Sequence, residues 1–472
     1  MIALYTLKLK RKGWGISTDY LIVPAACRRR EQGIESGLNI RYGHLKKKLF
    51  VALLFTTIIG FCREKNNDTL IVSISPDARG IITDQIQQAI DFIGNKGGGT
   101  VLFPEGKYIT GGLQLKSNVT LQFKKGAILA SSSNLADFGE WKWTNGLLMG
   151  DNLKNISIIG EGILDGIDLK NPNGEEGFRG PHLIRLTHCD SIIIRDITIK
   201  RSANWAINCR KCTNGIIEDI NIRGGHDGVH TRFCKNFRIR NCDIRTGDDA
   251  FAGNDNQDFA IENCKVNTSC NAFRFGCLNL AVKNCSIWGP GEYKHLSQDR
   301  NNTLSVFTHF SPPDENPQLQ NGNWLIQDVT IDHIDQIFNY NFRNGLWQTG
   351  RPVTKITFEN LAATDVKKAF NMFGDSARSL KLTIRNASIS ESEDSDYTEF
   401  NFEGRMQEVP AFFNANQFDV LELHNVTIKT NSKNPAIMAK NGNKLVIDKV
   451  RFIPSDNHKP IIYKNIDEVE MP

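Results

Sequence analysis

A strand-like segment recurs along this chain about every 22 residues. Each copy alternates apolar and polar residues and carries an acid or amide at the same place, at Asp196, Asp219, Asn241, Asn263 and Asn284, with separations of 23, 22, 22 and 21 residues. A period this constant is typical of a solenoid, because a single coil cannot bury its inner face alone. Alternation indicates strands, and the Asn, Asp and Gly between copies favour turns. The chain is therefore predicted to be all-β and to fold as a right-handed parallel β-helix.

The repeat extends well beyond these five copies. The next strong copy carries Asp328, 44 residues after Asn284, which we interpret as two periods. Weaker copies continue it over roughly 70–465, and no Pro-rich or Gly/Ser-rich linker interrupts them. We therefore expect residues 63–472 to form a single β-helical catalytic domain, although the length alone would suit two or three domains.

A helical pattern precedes the first coil. Within residues 83–95, apolar residues fall on one face of a helix, with Thr83 as the expected N-cap and three glycines at 97–99 ending the helix. Open ends of solenoids need caps. The sequence predicts an N-terminal capping helix here.

Residues 1–62 differ from the rest and are predicted to be a leader. Residues 46–61 read KKKLFVALLFTTIIGF, a basic cluster followed by an apolar run that is short for a transmembrane span, as in an export signal. Cys62 could then accept a lipid that attaches the protein to a membrane. We expect an exported protein, in the periplasm or as an outer-membrane lipoprotein of the cell envelope. Residues 1–44 resemble no targeting signal, and we expect them to lie upstream of a misassigned translation start.

The basic charge of the chain belongs to that leader. Up to Cys62 there are 11 Lys or Arg against 3 Asp or Glu, whereas the whole chain has a net charge of +5, which leaves the remainder at −3. A basic face is the usual requirement for binding nucleic acid. The composition therefore argues against a nucleic-acid partner.

Cysteines recur at one position of three successive copies, at Cys242, Cys264 and Cys285. This spacing favours a buried ladder of small apolar side chains over a metal or redox site. Cys209 and Cys212 form a single CxxC pair without a second pair at zinc-ligand spacing. We expect neither a metal nor a cofactor.

Three carboxylates are predicted to meet on adjacent coils. Asp227, Asp249 and Asn271 are spaced by 22 residues and should form a column, with Asp248 beside it if the backbone turns at Gly247. Carboxylates this close cannot all stay ionised, so the pKa of at least one is raised, which places an acid beside a base. The alternatives are a calcium cluster or solvated turn acids.

At these residues the chain resembles the polygalacturonase family, glycoside hydrolase family 28. The resemblance covers most of 70–465 and is carried by GGGTVLFPEGKYITGGLQL, IIGEGILDG, RGPHLIRLTHC and above all TGDDAF. It implies the pectin-lyase-like form of the β-helix and an inverting hydrolysis. It also implies that Asp248 is the general acid and that Asp227 and Asp249 activate water, across the separation of about 6.5–9.5 Å general for inverting sites.

The chain departs from this family where substrate is recognised. The expected Asn-Thr-Asp reads Gly225-His226-Asp227, and Asn271 stands where the usual histidine of Gly-His-Gly is expected. No clear Arg-x-Lys follows, and Arg300 is the nearest substitute. The sequence therefore predicts the type of reaction but not the sugar that the protein cleaves.

Three further residues are candidate substrate ligands. Arg274 should lie two coils from His230, and an unpaired inward arginine would be costly, which favours a groove-facing role on a sugar carboxylate or hydroxyl. His226 should lie beside Asp248, where it could hold that acid's proton or only bond a turn. Asn271 completes the set. The interrupted segment 289–324 is expected to line one wall of the groove or to be a variable loop.

Three functions fit the sequence, each with a polysaccharide or oligosaccharide as partner. A glycoside hydrolase accounts for the acids and their spacing. A polysaccharide lyase or epimerase on the same fold would use Arg274 or a lysine as base, with calcium held by the acids. A carbohydrate-binding adhesin would need no acid cluster. New reducing ends without an unsaturated sugar would indicate hydrolysis.

Overall fold

The computed structural model describes residues 70–76, 80–400, 406–430, 434–454 and 460–472. The predicted leader and Cys62 lie outside these ranges. The first half of the fold contains one α-helix, α1 (Thr83–Asn95), and 18 strands: β1 Ile71–Ser73, β2 Gly99–Phe103, β3 Gly106–Thr110, β4 Leu113–Gln114, β5 Val119–Phe123, β6 Ala127–Ser131, β7 Gly146–Asp151, β8 Lys154–Gly160, β9 Ile163–Asp165, β10 His182–Thr187, β11 Asp190–Arg195, β12 Thr198–Lys200, β13 Ile207–Arg210, β14 Thr213–Glu218, β15 Asn221–Gly224, β16 Val229–Arg232, β17 Lys235–Arg240 and β18 Asp243–Thr246.

The second half continues with longer strands, several of which run around corners of the coil. They are β19 Phe251–Glu262, β20 Lys265–Thr268, β21 Asn271–Lys283, β22 Ser286–Trp288, β23 Ser305–His309, β24 Gly322–Asn341, β25 Lys355–Phe373, β26 Lys381–Glu391, β27 Thr398–Phe400, β28 Met406–Glu408, β29 Phe413–Lys429, β30 Ile437–Asp448, β31 Arg451–Ile453 and β32 Ile461–Glu470. Short 3₁₀ turns occur at Leu135–Phe138, Glu175–Gly177 and Pro313–Glu315.

Apart from β27 and β28, which form a separate antiparallel pair, the strands pair in parallel and form three stacks, which confirms the predicted parallel β-helix. The first stack runs β10, β13, β16 and the start of β19. The second runs β8, β11, β14 and β17. The third runs β9, β12, β15, β18, β20 and β22. Each coil passes from the third stack to the first, then to the second, so the chain has three corners per coil.

One coil is larger than the sequence period suggested. Ser286 in β22 pairs directly with Thr330 in β24, so the 44-residue step from Asn284 to Asp328 is a single coil and not two periods. Its extra length lies in excursions on either side of β23, over 289–304 and 310–321. The 289–324 segment therefore contains a strand of the first stack between two excursions.

The predicted column of acids and amides is present. Asn241 donates to Asp219, Asn263 to Asn241 and Asn284 to Asn263, with donor–acceptor distances of 3.1, 3.1 and 2.8 Å. These residues have φ near +55°, a left-handed conformation that Asn and Asp tolerate better than other side chains. The Asn and Asp of the repeat therefore turn the corner and bond the coils to one another.

The interior is filled by ladders of like side chains, because each inward position repeats on the next coil. Phe251, Phe273 and Phe307 stack with ring centroids 5.1 and 4.9 Å apart. Cys242, Cys264 and Cys285 are buried free thiols, as predicted. Cys209 and Cys212 are also buried free thiols, so the CxxC pair belongs to the core.

The capping helix α1 has the predicted bounds, and its buried face carries Ile86, Ala89, Ile90 and Ile93. Thr83 does not cap it, because its Oγ1 accepts instead from the backbone N–H of Gly111 at 2.8 Å. The structure contains no helix, among the residues described, that is long and apolar enough to cross a membrane.

Candidate active site

The three acids lie at the corner where the chain passes from the third stack to the first. Asp227 lies between β15 and β16, and Asp248 and Asp249 lie between β18 and β19. The turn at Gly247 requires glycine, since a Cβ there would lie 2.1 Å from the backbone oxygen of Lys294 and 2.7 Å from that of Gly225. Both residues of the Asp pair are thus outside a regular strand, which lets them share one side of the coil.

The three carboxylates form a tight cluster. One oxygen from each of Asp227, Asp248 and Asp249 lies within 4.8 Å of the others. This spacing is shorter than the separation of about 6.5–9.5 Å that is general for inverting sites. A single water can still bridge two oxygens at this distance, because two hydrogen bonds of about 2.7 Å each span it.

Asp248 is held as a carboxylate by two partners from distant parts of the chain. Its Oδ2 accepts from Nη2 of Arg179 at 2.9 Å, and its Oδ1 lies 3.6 Å from Nε2 of His295. Burial alone would raise the pKa of Asp248, but the neighbouring His295 ring and the charge of Arg179 outweigh burial and lower that pKa below its usual range.

The pKa of Asp227 is shifted in the opposite direction. Burial, followed by the charges of Asp248 and Asp249, raises the pKa of Asp227 well above its usual value. Its Oδ2 bonds Nδ1 of His230 at 2.7 Å, and Nε of Arg232 donates to Nε2 of the same ring at 3.0 Å. Because arginine only donates, that contact assigns the proton of the neutral ring to Nδ1. His230 therefore donates to Asp227 and fixes its orientation.

Asp249 lies behind the other two acids, and its side chain is 1% exposed. Its Oδ1 accepts from Nδ2 of Asn271 at 2.7 Å, and its Oδ2 accepts from Nη1 of Arg274 at 3.2 Å. The guanidinium of Arg274 is also 4.3 Å from the ring centroids of both Phe310 and Trp347. The sequence predicts that Asp249 acts on water. In the structure, both oxygens of its carboxylate already accept hydrogen bonds from Asn271 and Arg274.

A cleft of about 1070 Å³ opens over the acids. Its floor is the first stack, and its two walls are excursions from the corners on either side. It is lined by both polar and aromatic residues, which include Glu175, Glu176, Arg179, Trp205, Asp227, His230, Arg232, Asp248, Asn271, Arg274, His295, Arg300, Thr308, Phe310, Asp314, Glu315, Trp347, Lys367 and Lys368. The 289–324 segment thus forms much of the walls.

The predicted substrate ligands fall into two groups. Arg274 and Asn271 line the cleft, and Arg274 is in register with His230 through Ala252, two coils away as expected. His226 is buried and stacks on Phe178 at 5.7 Å, and it is not among the described residues that line the cleft. Burial, and then Arg179, lowers the pKa of His226 to about 3, so the ring is neutral. The ring of His226 therefore packs against Phe178, which neither alternative from the sequence anticipated, and the described lining of the cleft does not support the predicted substrate-binding role.

Several residues of the site were not singled out from sequence. Arg179 lies within RGPHLIRLTHC but has no repeat position, and His295 lies in an excursion where no period applies. Arg300, the proposed substitute for Arg-x-Lys, lines the cleft and donates from Nη1 to the backbone oxygen of Ser269. Only contacts between excursions and coils bring these residues to the acids.

Within the described part of the chain, two groups of residues have the ligand types of a cation site. They are the three acids, and Asp248 with Cys270 and His295. Arg179 and Arg274 already place positive charge on Asp248 and Asp249 at 2.9 and 3.2 Å. A divalent cation would have to displace or tolerate both guanidinium groups, which disfavours the calcium-dependent alternative.

Known proteins share both the sequence around the acids and the fold. Residues 97–276 match the sequence profile of glycosyl hydrolases family 28. A probable polygalacturonase of Vitis vinifera is 26% identical over 209 residues, which are 39% of this chain and 42% of that protein, so the chain matches less than half of that relative's length.

Two solved structures share the architecture. An exopolygalacturonase of Thermotoga maritima aligns over 89% of this chain and 96% of its own, with 14% identity and a TM-score of 0.50. A family 28 exopolygalacturonase of Yersinia enterocolitica aligns over 86% of this chain and 79% of its own, with 16% identity and a TM-score of 0.54. At these identities the likeness is one of fold. Because the matched segment 97–276 contains all three acids, the chain resembles the family 28 glycosyl hydrolases in sequence at its candidate active site and in its right-handed parallel β-helix.

Proposed function

We propose that this protein is a glycoside hydrolase that cleaves a pectin-type polysaccharide. The observation that carries the proposal is the unequal environment of two acids on one cleft. The pKa of Asp227 is raised by burial and by its acidic neighbours, and the pKa of Asp248 is lowered by His295 and Arg179 against the effect of burial. Glycoside hydrolysis requires one protonated and one ionised carboxyl group. Here the raised pKa is that of Asp227, so a role of Asp248 as the general acid requires that the proton pass from Asp227 to Asp248 before the bond breaks.

The proposed mechanism uses one proton shared between these acids. In the free site the proton rests on Asp227, and Asp248 is ionised. When a sugar displaces water from the cleft, the proton passes to Asp248 through a bridging water, and Asp248 then gives it to the leaving oxygen as the glycosidic bond breaks. Asp227, now ionised, takes a proton from the water whose oxygen bonds to the anomeric carbon. The site ends with one proton on Asp227 again, so the cycle balances.

Asp249 has a supporting role in this scheme. Its bonds to Asn271 and Arg274 fix two cleft-lining donors, and its negative charge helps to keep the proton on Asp227. The family resemblance assigns Asp249 to the water together with Asp227. Its 1% exposure supports an effect through Asn271 and Arg274 instead.

Inversion at the anomeric carbon is the proposed stereochemistry, and it rests on the family resemblance. The separation of the acids is shorter than the general inverting range, so spacing alone does not predict it. Proton NMR of the first product formed, before mutarotation, tests the assignment. A first product that keeps the anomeric configuration of the substrate would contradict it.

Product chemistry tests hydrolysis against the lyase or epimerase alternative. Purified residues 63–472 would be incubated with a panel of pectic and other plant polysaccharides. Hydrolysis gives new reducing ends and no ultraviolet-absorbing double bond, whereas elimination gives both. Binding without any change in the polysaccharide would favour the adhesin alternative.

We also propose that the protein is exported and carries its catalytic domain in the cell envelope. The support is the basic and apolar run at 46–61 followed by Cys62. Mass spectrometry of the native N-terminus tests this. A mature chain that still contains residues 1–44 would contradict it.

A further inference from the structure

The cleft extends unequally on the two sides of the acids. From β16, which carries His230 and Arg232, lining residues continue through β21, β23 and β24 to Lys367 and Lys368 in β25. With β19, which lies between β16 and β21, that is five inter-strand steps, or about 24 Å at about 4.8 Å a step. In the other direction the floor continues as β13 and β10, but no described residue of those two strands lines the cleft.

The cleft stops because side chains cross it beside the acids. Trp205, from the corner before β13, stacks on His230 with ring centroids 3.6 Å apart. The guanidinium of Arg232 lies 5.5 Å from the Trp205 ring and forms an ion pair with Glu315 of the opposite wall. We call this connection from wall to wall the Trp205–Arg232–Glu315 bridge.

The bridge is fixed at both ends. On one side, Nδ2 of Asn254 donates to Oε2 of Glu315 at 3.2 Å. The backbone N–H groups of Gln318 and Leu319 donate to Oδ1 of the buried Asp255 at 2.7 and 2.8 Å. On the other side, the Trp205 ring packs edge-on against Trp143 with ring centroids 5.3 Å apart and lies 5.4 Å from the buried His182 ring. Several contacts therefore hold the closed end of the cleft in place, and it does not depend on a single side chain.

We propose that the enzyme acts on chain ends, with the terminal part of the polysaccharide seated against the Trp205–Arg232–Glu315 bridge and the rest of the chain in the long arm of the cleft. The inference rests on the proposed hydrolase function and specifies its substrate as a free chain end. A polysaccharide that passed through the site would have to occupy the space of the bridge. Cleavage therefore releases short products of one size.

The test follows product sizes over time on the polysaccharide that gives new reducing ends in the panel. The full chain should release a single short product from the first time point, and viscosity should fall slowly relative to the number of new reducing ends. A ladder of intermediate oligosaccharides at early times would overturn end recognition while leaving hydrolysis intact. A panel in which no polysaccharide gains reducing ends would overturn the proposed hydrolase function and end recognition with it.

Variants test whether the Trp205–Arg232–Glu315 bridge restricts cleavage to chain ends. Replacing residues 313–316 with two glycines removes Glu315 but keeps the anchor of Gln318 and Leu319, so intermediate oligosaccharides should appear. Glu315→Ala is the milder variant should the shortened chain fail to fold, and it should produce intermediates in smaller amount. Asp299→Ala removes an exposed acid from the other excursion, outside the cleft, and is the matched control. A folded bridge variant with the wild-type single product would overturn the role of the bridge.

Discussion

Arg179 donates from Nη2 to Oδ2 of Asp248 at 2.9 Å, although the two residues are 69 positions apart in sequence. The arginine reaches the acid because its excursion before β10 folds over the same corner of later coils. Its charge lowers the pKa of Asp248, as the ring of His295 also does, and together they outweigh burial. The protonation of the proposed general acid is therefore set by residues outside the repeat.

Removal of that charge should change the pH dependence of activity. Arg179→Gln keeps a hydrogen-bond donor but loses the charge that stabilises the carboxylate, so the pKa of Asp248 should rise, by about 1 to 3 units for a direct ion pair. In the free site the shared proton rests on Asp227, whose pKa the charge of Arg179 also lowers. Loss of that charge should keep the proton in the site to higher pH, so the alkaline limb of the kcat/KM profile should move to higher pH. His295→Gln should move it in the same direction, because the His295 ring also lowers the pKa of Asp248.

Arg378→Gln is the control for this shift, since Arg378 pairs with Asp467 outside the cleft. Its pH profile should match that of the wild type. An alkaline limb that stays in place or moves to lower pH in Arg179→Gln would show that the charge of Arg179 does not set the protonation of the two acids.

Loss of either acid on the cleft should abolish most activity. Asp248→Asn removes the proton donor and should lower kcat by at least about 100-fold, with little effect on folding. Asp227→Asn should be as severe, because it removes both the base and the store of the proton. The double variant should be scarcely worse than either single one, since the two groups serve one step. Near-wild-type turnover by Asp248→Asn, measured as reducing ends on folded protein, would refute the mechanism.

Chelation separates the hydrolase from the calcium-dependent alternative. The acids bind Arg179, His230 and Arg274, and the proposed mechanism needs no cation. Incubation with EDTA followed by removal of the chelator should leave the rate of reducing-end formation unchanged. Complete loss of activity that calcium restores would favour the lyase or epimerase.

Trp347 should contribute to substrate binding. The ring is 44% exposed at the cleft, and Arg274 lies over it at 4.3 Å. An exposed aromatic ring of this kind can pack against the apolar face of a sugar. Trp347→Ala should raise KM about tenfold, equivalent to about 1.4 kcal/mol, with a smaller change in kcat. Trp347→Phe should recover most of the loss, and Trp288→Ala, outside the cleft, should leave KM unchanged.

The column of amides should stabilise the fold by two separable effects. Asn263 has a φ of 55° and bonds both Asn241 and Asn284. Asn263→Gly removes the side-chain bonds but suits the backbone, and should cost about 1 kcal/mol in the free energy of unfolding. Asn263→Ala loses the bonds and strains the backbone, and should cost about 1–2 kcal/mol more. Equal losses in urea titrations would show that backbone strain contributes nothing.

The repeat carried most of the fold prediction because position in the coil is encoded locally. Asp219, Asn241 and Asn263 repeat at one corner, and the same spacing brought Asp227, Asp249 and Asn271 into one column. The alternation of apolar residues predicts the inner face of the coils. The helical spacing of apolar residues over 83–95 predicts the capping helix. These features depend only on residues close in sequence or one period apart.

The rest of the site could not be predicted in this way. Arg179, His295 and Glu315 reach the cleft from excursions whose length follows no period, so spacing carries no information about their neighbours. The same reason explains the wrong interpretation of the 44-residue step after Asn284. His226 repeats in register with Asp248, yet its ring packs on Phe178, because register fixes the position of the backbone and not the direction of a side chain in a turn.

Both excursions of the enlarged coil enter and leave it next to β23, while the strands before and after keep their register with their neighbours. Insertions at these two points change the walls of the cleft without shifting any inter-strand pairing of the solenoid. The acids, in contrast, are fixed by the period itself. A protein built this way can acquire a new substrate by changing the length of two loops, while its reaction chemistry stays tied to the stability of the coils.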